Sequence, residues 1–241
     1  MSTTTTIVYP DAATVAEATA ARLLVSVTDA VSTRGEAHVS LTGGTIGVAT
    51  LARAAASPLA DVINWTSVHM WWGDERFLAS GDPDRNEAQA QRALLKRLRL
   101  PEENIHRMAP SERARTPEKA AEAYAEELAR YGDPAPAFDV MLLGLGPDGH
   151  VASLFPGRPE VNMAHTTVVP VIDAPKPPPT RMSLTLPTIN AAREIWVITA
   201  GAEKAQAVAD SLARKPGVPG GMVHGTERTL WLVDAAAAEK A

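Results

Sequence analysis

Short apolar runs rich in β-favouring residues alternate with Ala-rich amphipathic stretches along almost the whole chain. This periodicity predicts strands at residues 7–9, 37–41, 68–72, 138–143, 182–186, 194–200 and 229–233, and an extended segment at residues 166–171. Helices are predicted at residues 12–31, 46–56, 87–99, 117–131 and 203–212. The alternation predicts an α/β fold, with a doubly wound, mainly parallel sheet covered by helices on both faces. No internal repeat or dividing linker interrupts it, so we expect residues 1–241 to form a single domain.

Local signals mark two helix starts and one loop. Asp11 is a typical capping residue before the first helix, and Thr116 with Pro117 combines a capping hydroxyl with proline at the first helical position. The Pro-rich residues 175–179 are too few to read as a hinge between domains, and we interpret them as a rigid loop.

Composition excludes several classes of protein. The chain has no cysteine, which rules out thiol nucleophiles, disulfide scaffolds, iron–sulfur clusters and Cys-based zinc sites. A net charge of −5 argues against nucleic acid or an anionic membrane as the main partner, although a few local cations can still hold one phosphate. No apolar run is long enough to span a membrane and no signal peptide is recognisable, so we expect a cytoplasmic protein.

In open parallel sheets, ligands bind beyond the carboxyl ends of the strands, so the residues that follow each strand are the candidates for chemistry. The turn Thr42-Gly43-Gly44-Thr45 follows one predicted strand and precedes a helix. Its glycines allow backbone N–H groups to approach an anion at the helix N-terminus, and the two hydroxyls are further donors. The Gly-Lys-Ser/Thr ending of a Walker A loop is absent. A plain tight turn is the alternative interpretation.

The segment Gly73-Asp74-Glu75-Arg76 follows the strand at residues 68–72. Two acids and an arginine are poor turn formers, so they indicate a site, although a surface ion pair is the alternative. Trp71 and Trp72 point to opposite faces of this strand, and we expect one of them to pack in the core.

A long Gly-rich segment, residues 144–157, follows the strand at residues 138–143. It contains a formal G-x-G-x-x-G, but Pro156 breaks the apolar run that should continue as a helix. A dinucleotide-binding segment also needs an acidic residue about 20 positions further on, after a second strand. No obvious second strand precedes the acidic residues that follow here, which weakens a dinucleotide-binding interpretation. The segment also carries Asp148 and His150, whose spacing places both side chains on the same side of an extended turn. Such a pair is suited to acid–base chemistry near neutral pH.

Taken together, these three segments closely resemble the 6-phosphogluconolactonase family, which belongs to the same superfamily as glucosamine-6-phosphate deaminase. Two later blocks extend the resemblance over nearly the whole chain: Lys176-Pro177-Pro178-Pro179 through Arg181-Met182-Ser183-Leu184, and Gly201-Ala202-Glu203-Lys204. The resemblance implies a NagB/RpiA-like fold. It also implies hydrolysis of 6-phospho-D-glucono-1,5-lactone to 6-phosphogluconate in the oxidative pentose phosphate pathway. The partner is then a small phosphorylated sugar lactone.

No metal or cofactor is implied, and the sequence is consistent with this. The histidines show no spacing typical of metal ligands; they are His38, His69, His106, His150, His165 and His224.

Lactone opening needs a base that activates water and groups that stabilise the developing oxyanion. We assign the base to His150, because its unperturbed pKa of about 6.5 lies near working pH, and the orienting group to Asp148. Arg76 is implied to contact the lactone carbonyl, the oxyanion or the phosphate. Asp74 either takes part in the chemistry or organises the loop of Arg76. The residues expected to bind phosphate are Thr42, Gly43, Gly44, Thr45, Arg181 and Lys204.

Three other functions remain as alternatives. A deaminase or isomerase of the same superfamily would share the phosphate site, but the deaminases place a Glu where this chain has Phe155. A non-catalytic sugar-phosphate sensor would be indicated by loss of His150 or Asp148, and both are present. A dinucleotide-dependent oxidoreductase would rest on the G-x-G-x-x-G pattern alone.

Overall fold

The computed structural model describes residues 2–241. The strands are β1 (Thr3–Tyr9), β2 (Ala37–Leu41), β3 (Val68–Trp72), β4 (Asp74–Arg76), β5 (Val140–Gly144), β6 (Val168–Val171), β7 (Arg181–Leu184), β8 (Glu194–Thr199) and β9 (Arg228–Asp234). The helices are α1 (Ala12–Arg34), α2 (Gly44–Ala56), α3 (Asn86–Ala93), α4 (Ser111–Ala114), α5 (Pro117–Ala129), α6 (Leu186–Asn190) and α7 (Ala205–Leu212). In the part of the chain that is described, no helix combines the length and apolar character that crossing a membrane requires.

Six strands form a parallel sheet in the order β1-β9-β8-β5-β2-β3. Side chains alternate between its two faces, as the period of two along a strand requires. Val140 and Leu142 pack in one core with α1 and α2, whereas Met141 and Leu143 pack in the other with α5 and α7. The prediction of a doubly wound α/β fold with helices on both faces is confirmed.

The two adjacent tryptophans at the end of β3 show the same alternation. Trp71 packs with the α5 side of the sheet and Trp72 with the α1 and α2 side, and both are almost completely buried. The sequence predicts a core position for one of them, and the structure shows it for both. Because helices cover both faces, each face of the strand has its own core.

A second sheet was not predicted. It has three antiparallel strands in the order β4-β7-β6 and pairs Arg76 with Arg181 and Asp74 with Ser183. The charged residues of β4 have little intrinsic preference for a strand, and their partner strand lies about a hundred positions further along the chain. Local periodicity therefore could not reveal this pairing, which brings two predicted segments together at the end of the main sheet.

The helix starts agree with the local signals better than the helix ends do. Asp11 accepts a hydrogen bond from the Thr14 N–H at 2.8 Å, and Thr116 accepts one from the Lys119 N–H at 3.3 Å. The predicted helix at residues 87–99 is too long, since Leu94 leaves the helical region and a 3₁₀ turn follows. The helix predicted from residue 203 begins at Ala205, after a 3₁₀ turn.

Candidate active site

One cleft lies beyond the carboxyl ends of the central strands, where the turns after β2, β3 and β5 meet. Because β2 lies between β3 and β5 in the sheet, these three turns are neighbours. The cleft is lined by Thr42, Gly43, Gly44, Asp74, Arg76, Asn86, Gly144, Leu145, Gly146, Pro147, His150, Ala152, Lys176, Arg181 and Lys204. Of the predicted site residues, only two are not part of this lining. Asp148 contacts it through His150, and Thr45 lines an adjacent cavity.

The turn after β5 brings the predicted acid–base pair together. It is closed by two backbone hydrogen bonds of 2.9 Å, from Gly146 N–H to the His150 carbonyl and from Gly149 N–H to the Gly146 carbonyl. Gly149 has a φ of +84°, which favours glycine at this position. The turn places His150 Nδ1 2.5 Å from Asp148 Oδ1. At this distance Nδ1–H donates to the carboxylate, and Nε2 keeps its lone pair.

The electrostatics of the pair favour a neutral imidazole beside an ionised carboxylate. Burial lowers the pKa of His150, and the charge of Lys176 lowers it further, while Asp148 opposes the shift. Burial alone would raise the pKa of Asp148, but hydrogen bonds and charges from His150 and Lys176 outweigh it and lower the pKa to about 2. Near neutral pH, His150 is therefore able to accept a proton.

Asp74 also lines the cleft and connects three elements. Its carboxylate accepts a hydrogen bond from Ser153 Oγ at 2.6 Å and one from Asn86 Nδ2 at 3.2 Å. Asp74 itself is only 6% exposed, so most of its acceptor capacity is used inside the protein. These contacts fix β4 against the turn after β5 and the start of α3, which supports an organising role for Asp74.

Arg76 follows on the same strand and lines the cleft. Its backbone N–H donates to Glu75 Oε1 at 2.8 Å, and its guanidinium donates to the carbonyl of Asp84. The same Glu75 carboxylate accepts hydrogen bonds from the N–H groups of Asn86 and Glu87, which open α3. Glu75 thus holds the strand that carries Arg76 against the N-terminus of α3.

The Gly-Gly turn after β2 presents a helix N-terminus to the cleft. Gly43 is the N-cap of α2 and offers no side chain to the first N–H groups of the helix. These groups are consequently available to an anion. A Cβ on Gly43 would lie 1.9 Å from Asn86 Oδ1, so the close approach of the turn to α3 requires glycine here.

The two cations assigned to phosphate differ in their surroundings. Lys204 lines the cleft, and burial lowers the pKa of its ammonium. Arg181 is 5% exposed and donates to the carbonyls of Lys176, Pro177 and Pro178 at 3.2, 3.1 and 3.0 Å. Much of its hydrogen-bonding capacity therefore holds the Pro-rich loop, a role that the sequence did not suggest.

Two polar side chains of the cleft had no role assigned to them from the sequence. Lys176 extends its ammonium to within 3.1 Å of Asp148 Oδ1, and Asn86 bonds to Asp74. The sequence does contain a signal for Lys176, because three prolines follow it directly. Prolines restrict the backbone, so they indicate that the position of this lysine is fixed. Nothing in the local sequence distinguishes Asn86 from an ordinary polar residue at the start of a helix.

Glu36, His38 and His69 form a separate cluster at the opposite end of the sheet, with potential ligand atoms within 4.8 Å of one another. The two imidazole rings are nearly parallel, at 12° and 4.7 Å between centroids, so their in-plane lone pairs do not converge on one point. The indole N–H of Trp71 also donates to His38 Nδ1 at 3.1 Å, which leaves the proton of a neutral ring on Nε2. This arrangement suits a hydrogen-bonded stack rather than a metal centre.

The comparisons with known proteins agree with this geometry. The family model described as glucosamine-6-phosphate isomerases/6-phosphogluconolactonase matches residues 10–231. The chain belongs to this family. Three segments beyond strand ends, together with the blocks at residues 176–184 and 201–204, therefore identified the family correctly from the sequence.

Members of this family include relatives that are similar over almost their full length. The 6-phosphogluconolactonase of Streptomyces coelicolor is 50% identical over 243 residues, covering 97% of this chain and 93% of the relative. The structure of 6-phosphogluconolactonase from Trypanosoma brucei superposes with a TM-score of 0.84 at 26% identity, covering 99% of both chains. A monomeric glucosamine-6-phosphate deaminase superposes with a TM-score of 0.81 over 100% of both chains. At 18% identity, the last likeness concerns the fold alone.

Proposed function

We propose that this protein hydrolyses 6-phospho-D-glucono-1,5-lactone to 6-phospho-D-gluconate, the second step of the oxidative pentose phosphate pathway, in the cytoplasm. The observation that carries the proposal is the Asp148–His150 pair, whose imidazole lines a cleft that also holds an uncapped helix N-terminus and Lys204. The 50% identity to a relative named for this activity supports the same reaction. The substrate is a small phosphorylated lactone, and no nucleic acid, membrane, metal or cofactor is required.

The chemistry follows from the protonation states of the pair. His150 Nε2 accepts a proton from water, and the oxygen of that water attacks the lactone carbonyl carbon. The tetrahedral intermediate carries an oxyanion, whose charge the cationic side of the cleft, including Arg76, offsets. The bond from the carbonyl carbon to the ring oxygen then breaks, and the imidazolium returns its proton to that oxygen, which leaves as the C5 hydroxyl. Asp148 stabilises the imidazolium between the two transfers.

We assign the phosphate of the substrate to the N-terminus of α2. Thr42 and the N–H groups after Gly43 supply donors, and Lys204 supplies charge. Thr45 lies towards the neighbouring cavity, so its backbone N–H, rather than its exposed side chain, is the group suited to this site.

Phe155 favours the lactonase over the deaminase. The ring is 1% exposed and lies 4.5 Å from the imidazole of His150, measured between centroids. At the position where the deaminases have a carboxylate that assists sugar-ring opening, this chain therefore has an apolar ring that packs against His150. A deaminase would have to find its proton carrier elsewhere in the cleft.

The experiment that tests this function compares His150→Gln with His165→Gln, a control on an exposed histidine outside the cleft. Glucose-6-phosphate dehydrogenase generates the lactone in situ, and excess 6-phosphogluconate dehydrogenase reports the product as NADPH. After subtraction of spontaneous hydrolysis, we expect His150→Gln to lower kcat by about 10²–10⁴-fold and the control to match the wild type. Full activity of His150→Gln would refute the assignment. An inactive wild type would redirect the test to ammonia release from glucosamine 6-phosphate.

A further inference from the structure

The ammonium group of Lys176 reaches the catalytic pair from a different part of the chain. Its Nζ lies 3.1 Å from Asp148 Oδ1 and 3.3 Å from His150 Nδ1. The carboxylate oxygen that accepts from Lys176 is the one that also accepts from the imidazole. Asp148 Oδ1 is thus shared between two donors, and only one of them belongs to the catalytic turn.

We propose that Lys176 is a positioning residue that keeps Asp148 ionised and thereby fixes the proton of His150 on Nδ1, leaving Nε2 free to act as the base. The inference deepens the proposed function and rests on it. An ammonium can only donate hydrogen bonds, and its positive charge stabilises the ionised carboxylate of Asp148 over the protonated acid. A carboxylate that accepts from both neighbours requires Nδ1–H at the 2.5 Å contact.

Lys176 also acts on His150 through its charge. A cation 3.3 Å from the ring nitrogen disfavours the imidazolium, which adds to the effect of burial on the pKa of His150. Asp148 and Asp74 act in the opposite direction, and Phe155 packs against the ring without contributing charge. Removing the ammonium consequently leaves the carboxylates unopposed, so His150 would bind its proton more readily.

The loop that carries Lys176 is held in place by the fold. The Lys176 carbonyl accepts from Arg181 Nη2 at 3.2 Å, and prolines follow at the next three positions. The guanidinium carbon of Arg181 lies 5.7 Å from the ring centroid of Phe155, and that ring packs on His150. Arg181 and Phe155 therefore connect the backbone of Lys176 to His150, whose pKa the ammonium affects, although the Lys176 side chain is 36% exposed.

The test substitutes Lys176→Met, which removes the charge and keeps most of the side-chain length, and Lys176→Arg, which keeps the charge. Lys215→Met is the matched control, because Lys215 forms a surface ion pair with Asp210 at 3.0 Å outside the cleft. His150 is titrated by NMR through its imidazole Cε1–H signal, and the acid limb of the kcat/KM profile is measured on the same proteins. We expect Lys176→Met to move both upward by about 1 pH unit. Lys176→Arg and Lys215→Met should remain within a few tenths of a unit of the wild type.

The two readouts separate this inference from the function on which it rests. Lactonase activity with an unchanged His150 titration in Lys176→Met would overturn the positioning role and leave the function intact. An inactive wild type whose His150 titration still shifts in Lys176→Met would support the electrostatic role and remove the lactonase assignment. If Lys176→Met does not fold, Lys176→Gln provides the same loss of charge, and the same unchanged titration would refute the proposal.

Discussion

A single methyl group at Gly146 should separate His150 from Asp148 without disturbing the fold. A Cβ built on Gly146 lies 1.9 Å from His150 Nδ1, 2.1 Å from His150 Cε1 and 2.5 Å from Asp148 Oδ1. Ordinary contact begins near 3.4 Å, so the imidazole must retreat by about 1.5 Å, and the hydrogen bond to Asp148 breaks. A misplacement of about 1 Å can cost 10²-fold in rate, and loss of a general base costs about 10²–10⁴-fold.

We therefore expect Gly146→Ala to lower kcat by at least about 10²-fold in the coupled NADPH assay. Gly73→Ala is the matched control, since a methyl at that buried glycine meets Leu143 and Ser40 only at 3.7 Å. Both variants should keep the circular dichroism spectrum of the wild type, because neither glycine has a positive φ. A Gly146→Ala protein with wild-type kcat would show that the Asp148–His150 contact is not needed for turnover.

The other predictions concern substrate affinity, the Pro-rich loop and acid stability. Lys204→Ala should mainly raise KM for the phosphorylated lactone, and an equal loss on unphosphorylated gluconolactone would contradict the phosphate assignment. Arg181→Ala should lower kcat as well as raise KM, because three carbonyls of the loop that carries Lys176 lose their donor, whereas a change in KM alone would confine Arg181 to binding. Burial and the neighbouring His38 and His106 lower the pKa of His69 to about 4. Between pH 6.5 and pH 4 the unfolded chain therefore binds a proton at His69 that the folded protein does not, so the free energy of unfolding should fall as the pH is lowered through this range. In thermal melts, Tm should fall less between pH 7 and pH 5 for His69→Asn than for the wild type. An equal fall in Tm would show that other groups cause it.

Much of the fold and the centre of the site were predictable from the sequence because both are local properties. Alternating periodicity marked the strands of the main sheet, and glycines or charges directly after a strand marked the turns. Asp148 and His150 are two positions apart, so the turn that joins them also determines their contact. Their contact is confirmed by the structure, and their catalytic roles stay a prediction.

The remaining parts of the site depend on pairings between distant segments. Arg76 faces Arg181 in the small antiparallel sheet, and Lys176 reaches Asp148 across 28 positions. Neither relation leaves a periodic or spacing signal, since it arises only when two elements pack together. Arg181 illustrates the effect: its charge suggested a phosphate ligand, but its hydrogen bonds to loop carbonyls became visible only in three dimensions.

The pairing of β2 with β5 has a consequence for the length of the substrate. The α2 N-terminus begins three residues beyond β2, and the turn that carries Asp148 and His150 begins at the end of β5. The proposed anion site and the proposed base therefore lie beyond adjacent strands, which are about 4.8 Å apart. Because paired strands keep a fixed spacing, the sheet limits the distance between phosphate and carbonyl carbon that a bound substrate can have. We therefore expect a lactone shorter by one carbon between these groups to bind with only one of them in its place.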